Sequence, residues 1–345
     1  MSKVEWKKLG DVANLVRGKV ISKDYIRDNE GDYPVYSSQT ANDGVFGCIN
    51  SFMFDGDYLT WTTDGAYAGT VFRRKGKFNI TNVCGLIDIK EASLNQDFLY
   101  YWLDLTAKDY VLEGMGNPKL MSNVASNIKI PFLPLMQQNR IVGILDTFTA
   151  SIDNLKEQIA QRRKQYEYYR NLVIKNALTS SRNVTLKDVA VIKNGKDYKN
   201  LGGGEIPVYG SGGIMTYVNK YASNKHSVLL PRKGTVDNIF YVEEPFWTVD
   251  TIYWTDIDES KIIPKFLFYS LSIYNLKEFS YGGARPSLSQ PILYKLSIPL
   301  PSLSEQQRIV DILDTFEASI QNLEAQLSQR EKQYEYYRNK LLTFE

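Results

Sequence analysis

The stretch from Ile130 to Ile174 recurs, 168 residues further along the chain, as Ile298 to Leu342. Aligned without a gap, IVGILDTFTASIDNLKEQIAQRRKQYEYYRN and IVDILDTFEASIQNLEAQLSQREKQYEYYRN match at most positions, whereas the segments in front of them share only scattered anchors. A period this long is not that of a solenoid, whose units run to roughly 20–50 residues. It marks a duplicated module in which one helix was held constant while the body before it diverged. The fold is thereby restricted to two related bodies, each attached to its own copy of the same helix.

The helices are legible from their apolar spacing. In the first copy Ile141, Leu145, Phe148, Ile152, Leu155, Ile159, Arg162, Tyr166, Tyr169 and Val173 alternate at intervals of four and three, the seam of a coiled coil. The second repeats it as Ile309, Leu313, Phe316, Ile320, Leu323, Leu327, Arg330, Tyr334, Tyr337 and Leu341. A helix over Gln137–Leu178 is roughly 60 Å long at about 1.5 Å per residue. Proline-containing runs, IPFLPL and IPLPSL, precede both, as suits a residue with fixed φ and no donor. A compact body has its ends close together, so the second helix should start near where the first stops and run antiparallel to it. The bodies then lie at opposite ends, related by a pseudo-two-fold axis.

The chain divides accordingly into a body at 1–134, a long helix at 135–180, a second body at 181–302 and a second helix at 303–345. Runs such as Val71-Phe72, Leu86-Ile87-Asp88-Ile89 and Thr251-Ile252-Tyr253-Trp254 are strand-like and punctuated by Gly and Asn. NQDFLYYWLDL and IPKFLFYSLSI read as short helices, which makes the class α+β, with two α/β bodies separated by the helices. The bodies share Leu9-Gly10-Asp11-Val12 with Leu186-Lys187-Asp188-Val189, Tyr33-Pro34-Val35-Tyr36 with Ile206-Pro207-Val208-Tyr209, and Phe98-Leu99-Tyr100-Tyr101 with Phe266-Leu267-Phe268-Tyr269. The apolar members of these anchors are most simply core.

A hydrophobic content of 43% in 345 residues supports two real cores. No apolar run approaches membrane-spanning length and the N-terminus has no apolar signal region, so a cytoplasmic protein with no membrane partner is expected. Cys48 and Cys84 have no counterparts in the second half, which argues for reduced thiols over a disulfide framework. Forty-one basic against thirty-nine acidic residues leave the chain near neutral, so any nucleic-acid contact must be local or shared with partners.

Signs of catalysis are missing. The single histidine, His226, has no partner in the first body, no Cys or second His stands at metal-ligand spacing, and no phosphate-binding Gly-x-x-x-x-Gly-Lys-Ser/Thr occurs. Gly202-Gly203-Gly204 form no dinucleotide fingerprint. Asn117-Pro118-Lys119 lacks the second proline and the aromatic ring of an amino-methyltransferase motif. A non-catalytic chain with no metal and no cofactor of its own is expected.

Binding chemistry is better represented. After each Pro-Val-Tyr comes a small polar loop, Ser37-Ser38-Gln39-Thr40 and Gly210-Ser211-Gly212-Gly213, suited to phosphate and base-edge contacts. Basic clusters, Arg73-Arg74-Lys75-Gly76-Lys77 and Arg232-Lys233-Gly234, follow strand-like runs and are either contact groups or solvated hairpin tips. Gly-rich turns at Gly114–Leu120 and Gly282–Leu288 each carry one cation, Lys119 or Arg285, and are either functional loops or simply tight turns. In the doubled Tyr-Glu-Tyr-Tyr-Arg, Tyr168 and Tyr336 fall off the seam and can meet another protein.

With these residues in view the chain resembles the specificity subunits of type I restriction-modification systems. The resemblance covers essentially the whole chain and rests on IPFLPLMQQNRIVGILDTF, IPLPSLSEQQRIVDILDTF, the doubled KQYEYYRN and the turns GMGNPKL and GGARPSL. The first copy departs at Met136-Gln137, where the second has Ser304-Glu305, and so lacks a Ser helix cap. The resemblance implies two target-recognition domains reading a bipartite, asymmetric site on double-stranded DNA, with the helices as spacer and as docking surface for two methyltransferase subunits. It implies restriction/translocase subunits as further partners, and places S-adenosylmethionine, Mg²⁺ and ATP in the partners. The DNA contacts expected are Ser37, Ser38, Gln39, Thr40, Arg73, Arg74 and Lys119 in the first body and Ser211, Gly212, Arg232, Lys233 and Arg285 in the second. The competing class is a coiled-coil adaptor whose bodies bind proteins or glycans; it leaves the basic loops unexplained.

Overall fold

The computed structural model describes residues 4–113, 116–283 and 286–344. Two compact units emerge: unit 1 is residues 1–154 with 328–345, and unit 2 is residues 155–327. The repeated segments form long helices, Leu135–Ser180 and Leu303–Leu341, and each unit contains part of both.

The second helix is capped by Ser302, whose Oγ accepts the Glu305 N–H at 3.3 Å. Pro134 holds that place in the first helix, and its carbonyl accepts the Gln137 N–H at 2.8 Å. The Ser cap expected at position 304 is therefore two residues earlier, and the copies differ there by Pro for Ser.

In unit 1, β1 (Glu5–Lys8) leads into β2 (Ala13–Arg17), followed by β3 (Glu30–Tyr36), β4 (Val45–Ile49), β5 (Phe54–Asp55), β6 (Tyr58–Thr62), β7 (Val71–Arg74), β8 (Lys77–Ile80), β9 (Cys84–Ile89) and β10 (Lys129–Phe132). They build a sheet of order β2-β9-β6-β7, a second of order β4-β3-β8-β5, and the pair β1-β10. In unit 2, β11 (Asn183–Thr185), β12 (Ala190–Asn194), β13 (Gly203–Gly210), β14 (Gly213–Val218), β15 (Ser227–Pro231), β16 (Phe240–Val242), β17 (Trp247–Thr248), β18 (Ile252–Ile257) and β19 (Ser297–Pro299) repeat the plan. Their sheets are β12-β18-β15-β16, β14-β13-β17 and β11-β19. The shared Leu-x-Asp-Val anchors are one-turn helices, Leu9–Val12 and Leu186–Val189, that bury Leu and Val in both units. The expected short helices are Gln96–Thr106 and Pro264–Leu271.

Each core is closed by the long helices. Ile141, Val142, Leu145 and Leu342 join the unit 1 core around Phe98, Leu99 and Leu103. Ile309, Val310, Leu313 and Ile174 join that of unit 2 around Phe266 and Leu267. Within unit 2, Arg163 meets Glu324, Tyr166 donates to Glu317, and the Tyr169 ring stacks on Phe316 at 5.4 Å. Rising numbers on one helix meet falling numbers on the other, so the segments run antiparallel. Unit 1 has the equivalent stack of Phe148 on Tyr337, also at 5.4 Å. The seam arginines lie over these phenylalanines, Arg162 over Phe316 and Arg330 over Phe148, so each interrupts the apolar seam with a cation facing a ring.

Two polar contacts fasten each body to its helix. Gln138 and Gln306 are fully buried. The Gln138 carbonyl accepts the Asn95 N–H at 2.8 Å, and its amide donates to the carbonyls of Ser93 and Leu133. Gln306 repeats this with the N–H of Ile263 and the carbonyls of Lys261 and Pro301. About two turns further on, the buried Tyr101 donates its hydroxyl to Asp146 at 2.6 Å, and Tyr269 donates to Asp314 at the same distance. Burial first, and then the bond to the aspartate, raises both phenols, so they remain donors. The brace differs between units. Lys265 pairs with Asp314 at 3.0 Å; its counterpart by repeat is Asp97, so in unit 1 the cation arrives from β7 as Arg73, paired with Asp97 at 2.7 Å and Asp146 at 3.3 Å.

Replacing Gln306 by Leu leaves one N–H and two carbonyls without their partner in a largely buried joint. The loss expected in urea unfolding is about 2–3 kcal/mol, at about 1–3 kcal/mol per orphaned group with partial relaxation; a change within error would show that the joint does not bear on stability. Cys84 is buried, and burial pushes its thiol up to about 12, whereas Cys48 is half-buried. A thiol with so high a pKa is protonated at pH 8, so alkylation of the native chain is expected to label Cys48 well before Cys84, and peptide mapping of a time course reads the order.

Candidate nucleic-acid interface

In unit 1 the polar loop after β3 runs from Ser37 to Gly44 and is closed at its base by the Ser37 N–H donating to the Gly44 carbonyl at 3.1 Å. Ser37, Ser38, Gln39 and Thr40 are half-buried, while Ala41, Asn42 and Asp43 are exposed at the tip. The Gln39 amide is turned inward onto the Val45 carbonyl. Asn42 and Asp43 both have φ of 50°, and Gly44 has φ of 77°. A left-handed residue costs about 1 kcal/mol or more, least for Asn and Asp, which bond locally. Asn-Asp-Gly is made of the residue types that tolerate such a turn, and that composition is the signal that picks out the tip.

A second group forms beyond β6. Thr63 donates to Asp64, which pairs with Lys119 at 3.8 Å and Arg17 at 3.9 Å. The Gly65 N–H donates to the Pro118 carbonyl, so the Gly-rich turn docks on this loop. Lys119 keeps half of its side chain exposed.

Unit 2 makes the same docking with different chemistry. The Gly234 N–H donates to the Pro286 carbonyl, and the loop after β15 carries Arg232 and Lys233. Arg232 donates to the Asp250 carbonyl, while Lys233 pairs with the Asp250 carboxylate at 3.8 Å and remains half exposed. Ser211 and Gly212 form the two-residue turn of the β13–β14 hairpin. A Cβ on Gly234 would lie 3.2 Å from the Ser211 Oγ, and Asn238 donates to the Ser211 carbonyl. Ser211, Arg232 and Lys233 thus share one surface, next to a hollow lined by Asn194, Tyr281 and Gln290, polar groups that the sequence motifs did not single out.

Sheet order separates the two basic clusters. β15 lies between β18 and β16 as β6 lies between β9 and β7. Arg232 and Lys233 therefore correspond to Thr63 and Asp64, and the charge at this loop differs in sign between units. Arg73 and Arg74 lie instead on β7, whose counterpart β16 carries Phe240-Tyr241-Val242. Arg73 belongs to the helix joint, with its guanidinium over the rings of Tyr100 and Tyr101. Arg74 is 2% exposed and bonded to Thr60 and Asp43. Arg74 is thus withdrawn from the surface, whereas Arg73 is engaged by two carboxylates with about a third of its side chain accessible. Arg285 lies outside the described residues. Tyr168 and Tyr336 are 62% and 59% exposed, each edge-on to the neighbouring Tyr169 or Tyr337. Among the described residues no group of His, Cys, Asp and Glu is placed to hold a metal ion, and no helix is long and apolar enough to cross a membrane.

Two sheet-containing units with polar and basic loops, each fastened to a repeated long helix, define a duplicated recognition protein. The model of the type I restriction modification DNA specificity domain matches residues 1–162 and again 180–331, and the chain belongs to that family. It is similar to the type I specificity subunit S.MpnORF507P of Mycoplasma pneumoniae, 31% identical over 97% of this chain and 96% of the relative. The type I restriction enzyme specificity subunit S.HindORF215P of Haemophilus influenzae is 31% identical over 99% and 96%. Among solved structures, an S subunit of a type I restriction-modification system from M. genitalium shares the fold with a TM-score of 0.70 at 19% identity, covering 100% of this chain and 98% of that one.

Arg73→Met removes the brace on Asp146 without emptying the space beside Tyr101. The expected loss of stability is about 1 kcal/mol, since the pair is partly screened by solvent, and urea unfolding measures it. A loss of DNA affinity with unchanged stability would return Arg73 to the contact surface.

Proposed function

We propose that this chain selects the DNA sequence on which a type I restriction-modification complex acts, each unit reading one short half of a bipartite site through the loops described above. The observation that carries the reading is the repeated docking of the Gly-rich turn on the loop after β6 or β15: Gly65 on Pro118 and Gly234 on Pro286. The same backbone frame thus presents Asp64 and Lys119 in unit 1 and Arg232 and Lys233 in unit 2, with different side chains on a common support. Base edges in the major groove are told apart by such differences in donors and acceptors. Lys119, Arg232, Lys233, Ser211, Gly212 and the loop from Ser37 through Thr40 to the exposed tip at Asp43 are the contacts proposed, with Arg285 beside them on sequence grounds.

The chain itself performs no chemistry in this reading. Two methyltransferase subunits dock on the repeated helices, for which the exposed Tyr168 and Tyr336 are the anchors proposed, and restriction/translocase subunits complete the assembly. S-adenosylmethionine, Mg²⁺ and ATP are assigned to those partners, and the site of action to the cytoplasm. A chain of near-zero net charge fits a complex in which partners share the phosphate contacts. The family match leaves the adaptor reading without support.

Sequencing of methylated bases in the source genome, with and without the gene, tests this. Disruption is expected to abolish one motif made of two specified halves around an unspecified interval; an unchanged methylation pattern, with no methyltransferase bound to the purified chain, would overturn it. Arg232→Ala with Lys233→Ala is expected to relax one half of the motif by about 5- to 150-fold per lost base contact, the equivalent of about 1–3 kcal/mol, leaving the other half intact.

A further inference from the structure

We propose that Arg74 is a positioning residue for specificity: buried beneath the Ser37–Gly44 loop of unit 1, it holds the exposed tip in the conformation that reads DNA without touching DNA itself. The inference rests on the reading of that loop as a DNA contact.

Arg74 has the placement of a core residue and the chemistry of a clamp. Its Nε donates to Thr60 Oγ1 at 3.1 Å and one terminal nitrogen donates to Asp43 Oδ2 at 2.7 Å. The guanidinium lies 3.6 Å from the centre of the Tyr36 ring and 4.4 Å from that of Phe72. The other terminal nitrogen is buried with no hydrogen-bond partner. It lies 3.0 Å from where a Cβ on Gly44 would stand, a point that is also 3.1 Å from the Gln39 carbonyl. The cation therefore fills the underside of the loop, and Gly44 is required both by its positive φ and by that contact.

The exposed end of the clamp is Asp43, whose side chain is 70% accessible. Asn42 and Asp43 are the positive-φ non-glycine residues among those described, and with Gly44 they form three successive left-handed residues. A solvated tip of this kind has many competing turns available. A tie to a cation fixed by Thr60 and two rings selects one of them, and a charge removed from water is less screened than a surface pair. Among the described residues unit 2 shows no equivalent clamp, and its β13–β14 hairpin turns through Ser211 and Gly212 alone between the paired Gly210 and Gly213. The second half of the DNA site is then an internal control.

The test uses the full chain as wild type, Arg74→Met, Asp43→Asn and the double variant. In hydrogen–deuterium exchange, backbone amides of residues 38–44 are expected to exchange about tenfold or more faster in each single variant, with β6 and β9 still protected and the double variant no faster than the singles. In gene-replacement strains, methylation sequencing is expected to show relaxed bases only in the half of the motif that Arg232→Ala with Lys233→Ala leaves intact. Unchanged loop exchange in both single variants overturns the proposal. Faster loop exchange with an unaltered motif keeps the clamp and overturns the loop's role as a reader, so the two failures are distinguishable. If Arg74→Met also loosens β6 and β9, Asp43→Asn decides, being made at the exposed end: faster loop exchange there supports the clamp, and unchanged exchange overturns it.

Discussion

The bond from a buried tyrosine in each body to an aspartate on its long helix is the contact on which the rest depends. Tyr101 to Asp146 and Tyr269 to Asp314, each at 2.6 Å, are charge-assisted bonds at the edge of the buried core. Together with Gln138 and Gln306 they set where the helix meets its sheet. Hydrophobic packing of Leu145 or Leu313 is strong but not directional. The polar pair supplies the register, and it accounts for the repetition of ILDTF on the helices and of Phe-Leu-x-Tyr on the bodies.

Around that constant joint the units were free to diverge, and they diverged in how a recognition surface is built. Unit 1 offers Lys119 beside Asp64 and a long loop tied down from below. Unit 2 offers Arg232 and Lys233 around Asp250 and a minimal hairpin. Even the brace on the joint changed hands: Lys265 serves it directly, whereas Asp97 at the equivalent position needs Arg73 from β7. Both units place a cation there, drawn from different elements.

The long helices, the α+β bodies and several strands were legible in the sequence because period, proline and repeat register act locally. Val71-Phe72, Leu86–Ile89 and Thr251–Trp254 all lie in or against strands, and both FLxY runs are helical. The site was legible only in part. Arg73-Arg74 and Arg232-Lys233 look alike as strings, yet one pair sits on β7 and the other beyond β15. Which strand a cluster follows is a matter of sheet order, which no local pattern encodes. The fate of Arg74 was hidden for a related reason: a buried arginine is made possible by Tyr36, Thr60 and Asp43, residues scattered in sequence and joined only by the fold. Asn42-Asp43-Gly44, by contrast, carried its own turn signal.

The membership of unit 1 bears on the order in which the molecule is made. Residues 155–327 form unit 2 as one continuous segment, so its contacts become available as that stretch leaves the ribosome. Unit 1 draws Leu342, together with Tyr334 and Leu341 packed against it, into a core that otherwise comes from the first 154 residues. Its loop closure therefore spans nearly the whole chain, and contacts at such separation form late. The body synthesised first is the one completed last, and until residues 328–345 arrive the face of Trp102 that meets Phe344 stays open to water, where a chaperone or a neighbouring nascent chain can reach it.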